Sequence, residues 1–272
     1  MLCNHFLTAK KYKLDAGEIT PRTFAEYKST TDRLVSTFGK NWLVENLAAD
    51  DFNRLRADLA KQFGPVRLGN EIQKTRTVFK YGTENGLLEK TVRFGSEFKK
   101  PTKKVLRLHK AKVGKKLFTA DEVRTLIVES GVPLKAMILL GINAGFGNND
   151  VGTLPFSCLD LDRGWVAFPR PKTGIERRCP LWPGTVTVLR QALADRPLPR
   201  QSEAEGLVFV TKYGSAWAGG GLATAVSHEF GKLLAKVGFN RWGVGFYRLR
   251  HTFRTVADVT KVPVAIRTHG PH

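Results

Sequence analysis

The stretch Phe246-Tyr247-Arg248-Leu249-Arg250-His251-Thr252-Phe253-Arg254 decides how the chain is read. Leu249, Phe253 and Val256 recur at helical spacing and share one face. That face anchors the segment in a core and leaves Tyr247, Arg250 and Arg254 along another. An arginine held on a packed helix is a preorganised fork for phosphate oxygens. Taken alone, the segment describes a basic surface helix with a solvated face, and His251 reads as a structural hydrogen-bonding residue. The residues upstream decide between the two readings.

Working outward, Ala223 to Val237 reads as a helix with Phe230, Leu233 and Leu234 facing in. His228 on it is a packing or surface residue. Leu207 to Val210 reads as a short strand and Thr185 to Ala194 as a helix. Before these, Gly164-Trp165-Val166-Ala167-Phe168 and Arg177 to Leu181 read as two strands joined by the turn Arg170-Pro171-Lys172-Thr173-Gly174. This is a basic β-hairpin with Lys172 at its tip, where a lysine is by default solvent-facing. Pro133 to Phe146 is apolar enough for a buried helix. Thr119 and Glu122 are spaced as a capping box ahead of Val123, Leu126 and Ile127.

Arg93 to Lys116 changes character, with ten Lys or Arg residues against one acid, Glu97, and Pro101 among them. By composition it is a linker, and residues 96–116 are expected to lie as a strap along a polyanion. Residues 17–95 read as a small all-helical basic domain. Thr20-Pro21 starts one helix carrying Phe24, Tyr27, Leu34 and Val35. Asp50-Asp51 starts another with Phe52, Leu55 and Leu59. A third carries Ile72, Val78, Phe79 and Tyr81 and ends at Asn85-Gly86, before a short element at Leu87-Leu88. Met1 to Ala16 is polar and expected to be loosely held.

The chain has 272 residues, 42% hydrophobic, room for one large domain or two smaller ones. Its formal net charge is +20, which points to a polyanionic partner and away from a neutral metabolite. No apolar run reaches the ~18 residues of a spanning helix, and Met1 to Lys13 lacks the apolar run of a signal peptide. Cys3, Cys158 and Cys179 are odd in number and lack metal-like spacing. The expectation is a cytoplasmic protein with inert free thiols, no metal, no cofactor, no membrane partner and no small-molecule substrate.

A helical basic domain, a basic linker, a capped helix, a buried helix, a lysine-tipped hairpin and then Leu249-Arg250-His251-Thr252-Phe253 together resemble the tyrosine recombinases, the phage-integrase family, from about residue 17 onward. The resemblance implies a mainly α fold with an α+β second domain: a helical core-binding domain (17–95), the linker (96–116) and an integrase-type catalytic domain with a small β-hairpin (117–272). It implies duplex DNA as partner, further recombinase subunits on that DNA, and a clamp around the duplex. In the family, arginines stabilise charge on a scissile phosphate, a lysine protonates the leaving oxygen, and a tyrosine forms a covalent link, without metal or nucleotide.

Residue by residue, the resemblance places Arg250 on the second catalytic arginine and Lys172 on the hairpin lysine. Tyr247 stands where the family usually has histidine. Gly145-Phe146-Gly147-Asn148-Asn149-Asp150 corresponds to a Gly-x-Arg-x-x-Glu segment, so Asp150 fits the acidic position and Gly147 replaces the first arginine. No Arg or Lys nearby in sequence replaces it. His272 follows Gly270-Pro271 near the family's late histidine, although His269 and His272 by themselves read as end residues. The nucleophilic tyrosine falls about ten residues further on, beyond His272. The expected phosphate-contacting residues are Lys74, Arg76, Lys80, Lys99, Lys100, Lys103, Lys104, Arg107 and Arg254. The expectation is therefore a DNA-binding protein of DNA integration and recombination that does not cut unaided. The alternatives are a nucleophile supplied in trans, a non-catalytic regulator competing for recombination sites, and a gene remnant.

Overall fold

The structure, a computed structural model, describes residues 1–114, 116–218 and 224–260; of residues 256–260 only the backbone is described. The chain divides into two compact units, Met1–Gly114 and Lys115–His272.

The first unit is helical. It contains α1 (Leu2–Asp15), α2 (Pro21–Phe38), α3 (Ala49–Gln62), α4 (Pro65–Glu84) and α5 (Lys103–Val113), with a 3-10 turn at Val44–Asn46. Helix α2 starts as the sequence predicts: the Thr20 side chain accepts from the Thr23 backbone N–H at 3.2 Å, and Pro21 takes the first position, where no N–H is needed. At the start of α3, Asp51 reaches back to accept the Ala48 N–H at 2.9 Å. Phe52 is the centre of the core. The rings of Phe38, Phe79, Phe94 and Phe98 surround it at 4.8 to 5.6 Å between centroids.

Three sequence expectations differ here. Residues 1–16 are not loosely held: α1 packs on α2 and α4, and Phe6 is fully buried against Tyr27 and Tyr81. The 96–116 segment is not an extended strap. Phe98 is fully buried in the aromatic core, which ties residues 94–102 to the first unit, and residues 103–113 form a helix. Composition concealed this because one buried phenylalanine outweighs the polarity of its neighbours. Residues 87–88 form no regular element; Leu88 folds back onto α4, within reach of the open side of Gly82.

The second unit comprises α6 (Ala120–Glu129), α7 (Val132–Asn143), α8 (Asn148–Gly152), a small sheet, α9 (Pro183–Ala194), α10 (Ala225–Lys236) and α11 (Tyr247–Thr260). The capping box forms as predicted, with Glu122 N–H donating to Thr119 at 3.2 Å and Thr119 N–H to Glu122 at 2.9 Å. Helix α7 is apolar all round and buried, with α9 and α11 packed against it. Gly141 on α7 allows the close approach of α11: a Cβ there would stand 3.1 Å from the Leu249 Cβ. The sheet is antiparallel in the order β1 (Leu159–Asp160), β2 (Trp165–Ala167), β3 (Arg178–Pro180), with Trp165 opposite Pro180 and Val166 opposite Cys179. The 207–210 strand is reduced to single bridges, Pro155 to Leu207 and Val210 to Ala216. Among the described residues no helix is long and apolar enough to cross a membrane.

Candidate functional site

Helix α11 is placed by its apolar residues. Leu249 is fully buried, and Phe246, just before the helix, packs edge-on against Phe230 at 5.3 Å. The Phe118 N–H donates to the Thr252 hydroxyl at 3.3 Å, pinning the helix from a second side. With the axis fixed, Arg250 faces the turn after α7. There Gly145, at φ +64°, turns its carbonyl to accept from Arg250 Nη1. A side chain at 145 would also meet the Phe253 ring at 3.1 Å, so glycine is required on both counts.

The same turn carries Gly147 and Asp150. Asp150 Oδ2 accepts the Gly147 N–H at 2.8 Å and lies 3.3 Å from Arg177 Nη1. This pair is buried, with the Arg177 side chain 4% exposed. Arg177 also donates from Nε to the Phe168 carbonyl at 3.2 Å, and its guanidinium lies 3.9 Å over the Phe146 ring. Its Nη2 is buried with no hydrogen-bond partner among the described residues. Burial pushes the Arg177 pKa down and the Asp150 carboxylate opposes that, while Arg250 and Arg170 push it further down. The turn therefore gathers more positive charge than Asp150 neutralises.

Sequence reasoning missed Arg177. Arg177 is distant from Gly147 in the chain but shares Asp150 with it in space. The signal was the strand period of two: Arg177 and Cys179 are both buried while Arg178 and Pro180 are exposed.

Of the predicted site residues, Arg250 and Tyr247 meet at this turn. The Tyr247 ring lies over Gly147 and edge-on to His251 at 5.2 Å between centroids. Lys172 is exposed at the hairpin tip, where the Gly174 N–H donates to the Arg170 carbonyl at 2.8 Å. His272 lies outside the described residues. Arg254 is on the exposed side of α11. His251 is held below its ordinary pKa by partial burial and then by Arg248, Arg250 and Arg254. Burial raises the thiol pKa of Cys3, Cys158 and Cys179. Among the described residues no group of His, Cys, Asp or Glu side chains is arranged to hold a metal.

In the first unit the predicted basic residues separate into two groups. Lys74 is turned inward, 2.9 Å from Glu26 and 3.5 Å from the buried Glu71. Arg76 donates to the Phe98 carbonyl at 2.6 Å and stacks on Phe94. Both are committed to the unit's own packing, which an amphipathic helix pattern cannot distinguish from a basic outer face. Lys80, Lys99, Lys100, Lys103, Lys104 and Arg107 are exposed; Lys80 is 3.3 Å from Glu84 and Lys99 is 3.9 Å from Glu97. On α5, the Thr102 side chain caps the start, and Lys103, Lys104, Arg107, Lys110 and Lys112 are all exposed with no acid in the helix.

Solved structures share this architecture. The Tn1549 transposon integrase in complex with transposon right end DNA resembles it at a TM-score of 0.74 and 13% identity, over 95% of this chain and 87% of that one. A lambda integrase dimer bound to a COC′ core site matches at 0.68 and 14% identity, over 94% and 90%. A lambda integrase tetramer bound to a Holliday junction matches at 0.68 and 14%, over 94% and 72%. No protein-family model and no curated protein sequence matches the chain. At these identities the likeness is one of fold, the integrase-like fold of these neighbours.

Proposed function

We propose that the protein binds duplex DNA through its phosphates and acts in DNA integration or site-specific recombination, together with further subunits on the DNA. Helix α5 carries this reading. Lys103 and Arg107, four apart, and Lys104, Arg107 and Lys110, three apart, are like-charge neighbours on one helix without an acid among them. Each such pair costs a few tenths of a kcal/mol in an isolated helix, a cost that a row of phosphates reverses. The Arg250 fork on α11 supplies the directed phosphate contact. The fold supports the reading, since the similar integrases are seen with DNA in dimers and tetramers.

The test is affinity for a short random-sequence duplex, titrated against salt. A log–log slope of about −3 or steeper is expected, at roughly −0.9 per neutralised phosphate. A slope near zero would end the proposal.

A further inference from the structure

Among the side chains of the second unit, Arg177 has more hydrogen-bonding capacity than its surroundings use. A guanidinium offers five N–H donors. The Phe168 carbonyl takes one and Asp150 another, while Nη2 is buried with no partner among the described residues. A buried donor left unmade costs more than an ordinary hydrogen bond returns. Such groups in a native structure call for an explanation, and a ligand is one.

The surroundings indicate which ligand. Arg177 sits on Asp150, which also holds the Gly147 N–H, and Arg250 binds the Gly145 carbonyl of the same turn. Two guanidinium groups therefore flank one short turn, and one carboxylate serves both Arg177 and a backbone N–H. The balance is positive, so a further anion is favoured and a cation is not. Planar forks paired in this way suit the tetrahedral oxygens of a phosphodiester. Residue 147, a glycine, contributes no side chain. The Tyr247 ring packs over that corner, and the residue is 43% exposed.

We infer that Arg177, reaching in from the hairpin, is a second phosphate-binding residue that grips the same DNA phosphate as Arg250. Asp150 and the Phe146 ring hold its fork in place, and the buried Nη2 is the donor reserved for the phosphate oxygen. The inference rests on the DNA-binding reading above and extends it to a residue that no motif picks out.

Salt titration of the full chain on the random-sequence duplex provides the test. Arg177→Met and Arg250→Met should each make the slope shallower by about 0.9. Combining them should cost no more than one of them alone, because both serve one phosphate. Arg177→Met leaves Asp150 unpaired, so the charge-free pair Asp150→Asn with Arg177→Gln is the variant to use if the single one does not fold. Thermal melting of each variant separates binding from architecture: a shallower slope in an Arg177 variant that is still folded at the assay temperature supports the inference, whereas a slope lost only in variants that have unfolded overturns it. A wild-type slope near zero would sink the DNA-binding reading and this inference with it. A steep wild-type slope, made shallower by Arg250→Met but unchanged in folded Arg177 variants, would sink this inference alone.

Discussion

The aromatic ring of Tyr247 lies directly against the backbone of Gly147: a Cβ at 147 would stand 3.0 Å from both Cδ2 and Cε2 of the ring. Gly147 has an ordinary φ of −98°, so the constraint is one of space and not of backbone conformation. Tyr247 and Gly147 thus face each other, and a side chain at 147 needs the room that the tyrosine occupies. Gly147→Ala should be more favourable by about 1 kcal/mol in a Tyr247→Ala background than in the wild type. Thermal unfolding of the four proteins of the cycle measures this, and additive effects would show that the ring yields without cost.

A tighter contact holds α8 in place. A Cβ on Gly152 would fall 2.5 Å from the Ala218 Cβ and 2.9 Å from the Ala218 backbone nitrogen. Backbone cannot swing aside as a flexible side chain can. Gly152→Ala is expected to cost about 1–3 kcal/mol, read as a fall in the denaturation midpoint at unchanged m-value.

The Asp150–Arg177 pair is buried on both sides, so removing one partner strands the other. Asp150→Leu should destabilise the protein by about 3–5 kcal/mol. Removing both charges together should cost clearly less than the sum of the single changes. Chemical denaturation of the two singles and the double variant tests the coupling, and simple additivity would mean that the pair is not a pair in solution.

Phe98 decides where the first unit ends. It is fully buried among Phe52, Phe94 and the Arg76 guanidinium, although it sits in the basic stretch that composition marks as linker. Phe98→Ala should lower the stability of a 1–114 fragment by about 3–5 kcal/mol. The measurement is urea unfolding of that fragment, and a change under about 0.5 kcal/mol would return the segment to the linker.

His251 gives the site a pH dependence whose sign follows from its depressed pKa. The folded state disfavours the imidazolium, because of partial burial and then the charges of Arg248, Arg250 and Arg254. The unfolded chain therefore binds more protons as pH falls below the ordinary histidine value of about 6.5. Stability should decline as pH drops through that window, by under about 1 kcal/mol because the ring is exposed and screened. In His251→Gln that part of the decline should vanish; an unchanged profile between pH 7 and 5 would show that His251 is not its source.

Much of this architecture is local and was legible in the sequence. Thr20-Pro21, Thr119 with Glu122, and Gly174 in the hairpin turn act through neighbours a few residues away, so their spacing alone places the ends of α2 and α6 and the turn carrying Lys172. The burial of Leu249 likewise follows from residue type and helical period, and the exposure of Lys103, Lys104 and Arg107 from residue type alone. Tertiary structure decided what depends on partners distant in sequence. Lys74 and Arg76 look like the other basic residues until Glu26, Glu71 and the Phe98 carbonyl are brought to them. Phe98 and Phe6 look isolated until the aromatic core closes around them. Arg177 reads as one more charge on a hairpin strand until the fold sets it on Asp150 beside a glycine that has no side chain to offer. Periodicity reports which face a residue is on, whereas the partner that meets it there is set by packing between segments far apart in the chain.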